Sequence, residues 1–316
     1  MGGATPYVTS SHLRAAVGGI GVVAATSVAA WALGRPDNAL SLTAVRAAAD
    51  CAAAVTLGLA VVPLLDTGRH RDELSRAAAA PLAVSAAVWL LTELVRLVVV
   101  SAQTAALPVG TVGVQTYVEF VTHTAAGRAG AVSAVAAAAV CAVAVSAPRS
   151  GSVSLATTGI AAAGLAARTL AGHLTESPLG GVAVAVHAVA AGLWCGALVG
   201  LLVTVAHRGQ WARVLPRFSA LALGCVGVLV LAGVGGALAV VGAPADLVAT
   251  GYGRILTAKL LVTAALTALA WRNRSRWLPA ARTHRASAGL SRTRSLLELG
   301  GMTVALTLAA ALAVTG

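Results

Sequence analysis

The groups in this chain that can do chemistry are imidazoles, carboxylates and an ammonium placed inside apolar stretches, where an ionisable side chain is costly unless it has a partner or faces water. Of the seven histidines, His123, His173 and His187 fall on what the charge pattern below marks as the outer side of a membrane. His12, His70, His207 and His284 lie on the opposite side among arginines and read as solvated residues. His173 closes one apolar stretch in Gly172-His173-Leu174-Thr175-Glu176, and His187 lies on the next, past a short turn through Pro178. A tight connection holds consecutive helices side by side, so the two imidazoles are expected to meet near the outer surface. Glu176 or His123 would complete a set of nitrogen and oxygen ligands. Imidazole serves copper, zinc, iron and nickel alike, so the spacing selects no metal. A lone intramembrane histidine is also commonly a hydrogen-bonded packing residue, and that reading stays open here.

Other ionisable residues fall at similar depth. At about 1.5 Å per helical residue, Asp50 and Glu93 each lie roughly 10 Å from the outer end of their stretch, Lys259 about 9 Å, and His187 about 12 Å. Arg96 and Arg168 are nearer the rim. Glu93 and Arg96 are spaced i,i+3 and Arg46 and Asp50 i,i+4, so both acids can be neutralised on their own helices. Lys259 has no such neighbour and requires a partner from another helix, Asp50 or Glu93. A polar cavity open to the outside, containing Asp50, Glu93 and Lys259, accounts for all three. Trp194 stands seven residues from His187, hence on the same helix face, and is placed with that cavity. Gly192, Gly196 and Gly200 form a small-residue ridge on another face, a device that lets a neighbouring helix approach closely.

The elements that position these groups follow from composition. The chain has 316 residues, 58% hydrophobic and only 10% charged, whereas a soluble domain carries about 25% charged residues. Apolar blocks of about 20 residues match the length that a helix needs to cross roughly 30 Å of hydrocarbon. Nine spans are expected, near 13–34, 43–65, 77–100, 129–147, 152–172, 179–206, 217–241, 253–271 and 296–315, giving an all-α polytopic bundle in the lipid bilayer. Two parts are expected, residues 1–150 with an outer interfacial segment and residues 151–316 as the core. The first span has too long an apolar run and no basic leader for a secretory signal. Arginines concentrate after the second, fourth, sixth and eighth spans, which places the N-terminus in the cytoplasm and the C-terminus outside. The excess of 22 Lys and Arg over 10 Asp and Glu thus reports topology, and nucleic acid drops out as a partner. In the connection 101–128, Val114, Tyr117, Val118 and Val121 recur at helical spacing and predict an interfacial helix. Cys51, Cys141, Cys195 and Cys225 lie in apolar blocks without metal or disulfide spacing and read as small packers.

Several segments in order resemble the copper resistance D (CopD) family of bacterial inner-membrane proteins. These are Gly172-His173, then His187-Ala-Val-Ala-Ala-Gly-Leu-Trp194-Cys-Gly196, then Arg217-Phe218-Ser219 with Gly233, and Tyr252-Gly253-Arg254-Ile-Leu-Thr-Ala-Lys259. Arg46-Ala-Ala-Ala-Asp50 and Ala126-Gly127-Arg128-Ala-Gly130 look like the actinobacterial branch, often fused to a CtaG-like cytochrome oxidase assembly half that has no counterpart here. Cys195 and Leu174 depart from the family's usual aliphatic and small residues. The resemblance implies copper ion movement across, or delivery at, the cytoplasmic membrane, frequently with a periplasmic carrier of the CopC type.

The expectation is therefore a non-enzymatic membrane protein that takes copper at His173 and His187, assisted by Glu176 or His123, and passes it to the polar cavity. No GxxxxGK[ST] motif occurs, so movement is expected to be passive or ion-coupled, with Asp50 or Glu93 as proton acceptors. Two rivals stand beside it. One is a haem or oxidase-assembly protein, disfavoured because the depths of His173 and His187 differ by about 12 Å; the other is a structural subunit.

Overall fold

The computed structural model describes residues 6–147, 150–170, 178–240, 245–273, 275 and 288–315. Its helices are α1 (Pro6–Leu33), α2 (Leu40–Val61), α3 (Arg69–Thr104), α4 (Val114–His123), α5 (Ala125–Ser146), α6 (Gly151–Thr169), α7 (Pro178–Thr204), α8 (Arg208–Val240), the single turn α9 (Asp246–Ala249), α10 (Gly251–Arg272) and α11 (Ala288–Thr315). Among the described residues there is no strand. Eight of these helices are long and apolar enough to cross a membrane. The stretch expected as the remaining span is α6, 19 residues packed against α2, α5 and α7. Its hydroxyls and Arg168 lower its apolar character, and the hydroxyls of Thr157 and Thr158 are satisfied within the helix, donating to the carbonyls of Val153 and Ser154. The chain is an all-α polytopic membrane bundle.

The centre of the bundle is α2, whose apolar window is 72% buried. It touches α1, α3, α6, α7 and α11. Its alanines and Gly58 make this possible, since a thin helix lets neighbours approach until backbones meet. A Cβ at Gly58 would run into the Gly196 backbone of α7, and one at Gly196 into the Ala54 carbonyl. The predicted glycine ridge thus does close-approach work, and its partner is α2. Cys195 beside it is buried in the main apolar core with Trp194, Leu198 and Leu201, in keeping with a packing role.

Two sets of polar contacts define the ends of the bundle. At one end, Asn38 between α1 and α2 donates to the Thr315 hydroxyl at 2.7 Å, and Arg254 at the start of α10 donates to the Leu33 carbonyl at 2.8 Å. At the other, Arg213 on the first turns of α8 pairs with Asp66 at 3.1 Å. The end of α11 therefore lies beside the end of α1, opposite the α1 N-terminus. Helices α3 and α8 start earlier than the apolar windows predict and run through Pro81 and Pro216. Their basic first turns stay helical outside the apolar stretch, and on α8 that extension carries Arg213 and Arg217 to Asp66.

The predicted helix in the long connection is α4. It is held by buried Phe120, leaves Val114 and Val118 exposed, and is packed on α3 and α5.

Candidate functional site

Two separate groups of polar residues lie between the helices. The first joins α2, α3 and α6. Glu93, wholly buried, sits on the α3 face that meets α2 and α5. Arg96, one turn on, donates to it through Nε at 2.9 Å and again through Nη2 at 2.6 Å. From α6, Arg168 reaches both acids, with Nη1 at 3.0 Å from Glu93 and Nη2 at 2.7 Å from Asp50. Arg46 lies 3.9 Å from Asp50 on α2. The planar guanidinium suits Arg168 to this position, because its fork spans two carboxylates where an ammonium acts as a point charge. With all five groups ionised, three positive against two negative charges, the network carries one net positive charge; its more exposed members are Arg46 and Asp50. Gly130 of α5 makes room for it, since a Cβ there would strike the Arg96 guanidinium.

The local pairings Glu93–Arg96 and Arg46–Asp50 are present as expected, but the link that joins them is Arg168. Sequence reasoning placed Arg168 at the rim without a role. The available signal was a positive charge in the same outer half of the membrane as the two acids.

The second group surrounds His187, half-buried on α7. The Leu229 backbone on α8 lies beside its ring, and Gly233, one turn further along α8, leaves space beside the Cε1 edge. Lys259 of α10 is the charged group that acts on it. Lys259 was expected beside Asp50 or Glu93; among the described residues it has no carboxylate within 4 Å. The reason is helix order: α10 packs on α1, α9 and α11, away from the α2–α3–α6 network. Trp194 is buried in the apolar core, and its indole N–H has no partner there.

His123 ends α4 and is exposed. His173 and Glu176 lie outside the described residues. Among the described residues no cluster of three or more His, Cys, Asp or Glu side chains is close enough to hold a metal. Two further buried acids escaped the sequence reading: Asp66, 2% exposed, which takes Arg213 at 3.1 Å and Arg217 at 3.8 Å, and Glu298, which accepts from the Asn273 amide at 3.0 Å.

A helical membrane bundle with one internal ion network and a separate intramembrane imidazole is the class that the fold defines. Residues 37–181 match the family described as copper resistance protein D-like, N-terminal domain, and residues 212–312 match copper resistance protein D. The chain belongs to the copper resistance protein D family and is a multi-pass membrane protein related to copper resistance. No curated protein and no solved structure matches it. All five members of the ion network fall in the first matched segment, Leu229, Gly233 and Lys259 in the second, and His187 between them.

Proposed function

We propose that this protein moves copper across the cytoplasmic membrane, or hands it over there, and that the ion is captured on the outer side by His187 together with His173, with Glu176 or His123 completing the ligand set. The observation that carries this reading is the approach of the His187 ring to the α8 backbone around Leu229 and Gly233. A metal-ligating histidine characteristically commits one ring nitrogen to a carbonyl or carboxylate, which fixes the tautomer and aims the other nitrogen's lone pair at the ion. The Leu229 carbonyl is the group proposed to take that nitrogen. Gly233 keeps the adjacent α8 surface free of a side chain.

Lys259 belongs to the same site as its charge regulator. An ammonium near the imidazole opposes a bound cation, which favours release over tight storage and suits a transporter. A carrier of the CopC type would deliver copper at this outer face. Asp50 and Glu93 are the groups proposed to exchange protons as copper moves. Trp194 is proposed to hold the α7 face that carries His187.

The test is cellular copper content in a strain dependent on this protein, with His187→Ala and His173→Ala. Both variants should reach the membrane at normal levels and change copper accumulation at least fivefold. Wild-type accumulation in both would refute the site.

A further inference from the structure

One face of α3 carries a line of polar groups of which the proposed copper handling uses only Glu93. Ser75, Ser85, Trp89 and Glu93 are spaced by ten, four and four residues, which keeps them within an arc of about 80°, and span about 27 Å from first to last. At the arginine-rich end lies a cavity of about 40 Å³ lined by the hydroxyl residues Ser75, Ser150, Ser154 and Thr157 among apolar residues. That is room for about three waters. The Ser75 hydroxyl, in a residue 6% exposed, has no protein partner. Further in, the Thr56 and Ser85 hydroxyls meet at 3.1 Å across α2 and α3. Beyond them the Trp89 indole N–H and the Ser133 hydroxyl, both in fully buried residues, are also unpartnered. Buried polar atoms in native proteins have partners in nearly every case, and where the protein provides none, ordered water does. Three such atoms lie along one seam that starts at a cavity and ends at a carboxylate.

We propose that α2, α3, α5 and α6 enclose a hydrated path that carries protons between the arginine-rich side and Glu93. A proton enters from water in the Ser75 cavity, passes Thr56 and Ser85, and reaches a Glu93 oxygen by way of water held at Trp89 and Ser133. The neutral acid then loses its ionic hold on Arg96 and Arg168, and the proton leaves toward Asp50, which is 22% exposed. The groups facing Glu93 are Arg96 on its own helix, Arg168 from α6, and Asp50 and Arg46 from α2. Helix α5 brings only Ser133 and Gly130, and the Glu119 and His123 of α4 are exposed. The path shares Glu93 and Asp50 with the proton exchange proposed above but does not depend on His187 as a copper ligand, since it runs through different helices.

The experiment uses the full chain in liposomes containing a pH-sensitive dye, with a potassium gradient and valinomycin setting the potential, measured without and with copper. Proton entry should exceed that of protein-free liposomes in at least one condition, and Glu93→Gln and Ser75→Val should each lower it tenfold or more. As an independent readout, Ser75→Cys and Thr157→Cys in the otherwise native chain should label with a small water-soluble thiol reagent at least tenfold faster than the native cysteines, and should do so equally in a His187→Ala background. Flux at the protein-free level in both conditions, flux indifferent to Glu93→Gln, or Ser75→Cys labelling no faster than the native chain would each overturn the path. Loss of copper handling in His187→Ala with labelling intact would separate the two readings.

Discussion

Replacing Arg168 by Met tests whether the α2–α3–α6 network is one unit. In the structure this residue makes two close ionic contacts, at 2.7 and 3.0 Å, with its side chain 4% exposed. The contact with Glu93 is a hydrogen bond between charged groups, a kind that contributes about 1.5–3 kcal/mol. Asp50 is partly exposed and retains Arg46 at 3.9 Å, so its contact is discounted to about 1 kcal/mol; the expected loss is then about 3 kcal/mol. Glu93→Gln should cost more, about 3–5 kcal/mol, because it leaves Arg96 and Arg168 without their shared acid and raises the network's net charge from one to two. The two losses should be strongly non-additive. In the double variant the Arg168–Glu93 contact is already absent, and the cycle should return a coupling of about 1–3 kcal/mol. Arg168→Lys should recover less than half of the loss, since one ammonium does not span both carboxylates. The assay is reversible unfolding in mixed detergent, followed by circular dichroism. Losses that simply add, or an Arg168→Met variant as stable as the wild type, would refute the bridging role.

Other consequences follow from individual contacts. Gly196→Leu and Gly58→Leu each push a side chain into the facing backbone of the α2–α7 contact and should abolish folded protein, seen as loss of a monodisperse peak in size-exclusion chromatography. At the arginine-rich end the effects are asymmetric: Asp66→Asn should cost about 2–3 kcal/mol because a buried acid is lost from two arginines, whereas Arg213→Ala should cost under about 1 kcal/mol because Arg213 is 36% exposed, both by the same unfolding assay. Lys259→Met removes the cation that acts on His187 and should tighten copper binding about tenfold, the equivalent of about 1.4 kcal/mol, measured by competition with a chromophoric chelator. Phe120→Ser removes the one buried side chain of α4 and should speed proteolysis in residues 105–124 at least fivefold, without changing the stability of the bundle.

The architecture was legible because it depends on properties carried within each segment. Apolar length gave the spans, arginine placement gave their alternation, and the small-residue ridge on α7 announced a close neighbour. Pairings confined to one helix, Glu93–Arg96 and Arg46–Asp50, were legible for the same reason. Contacts between helices were not. Periodicity tells which residues share a face but not which helix the face meets, so Arg168 was not recognised as the bridge, and Lys259 was matched with acids although it lies with His187. Trp194 shows the same limit: its position relative to His187 follows from the sequence, but the apolar core that covers it depends on how α8, α10 and α11 close around α7. Asp66 was overlooked because a single acid in a short connection has no periodic context, and its partners lie 147 and 151 residues away. Of the proposed ligands, His187 and His123 are described, while His173 and Glu176 lie in the stretch 171–177 outside the described residues.

The central claim is that His187 is a copper ligand held by α8. Its most direct measurement is the copper content of purified protein by inductively coupled plasma mass spectrometry after loading and desalting, compared with His187→Ala. The account predicts about one copper per wild-type chain and less than a fifth of that in the variant, at equal folded yield. Equal copper in the two proteins, or none in the wild type after loading with either oxidation state, would contradict it.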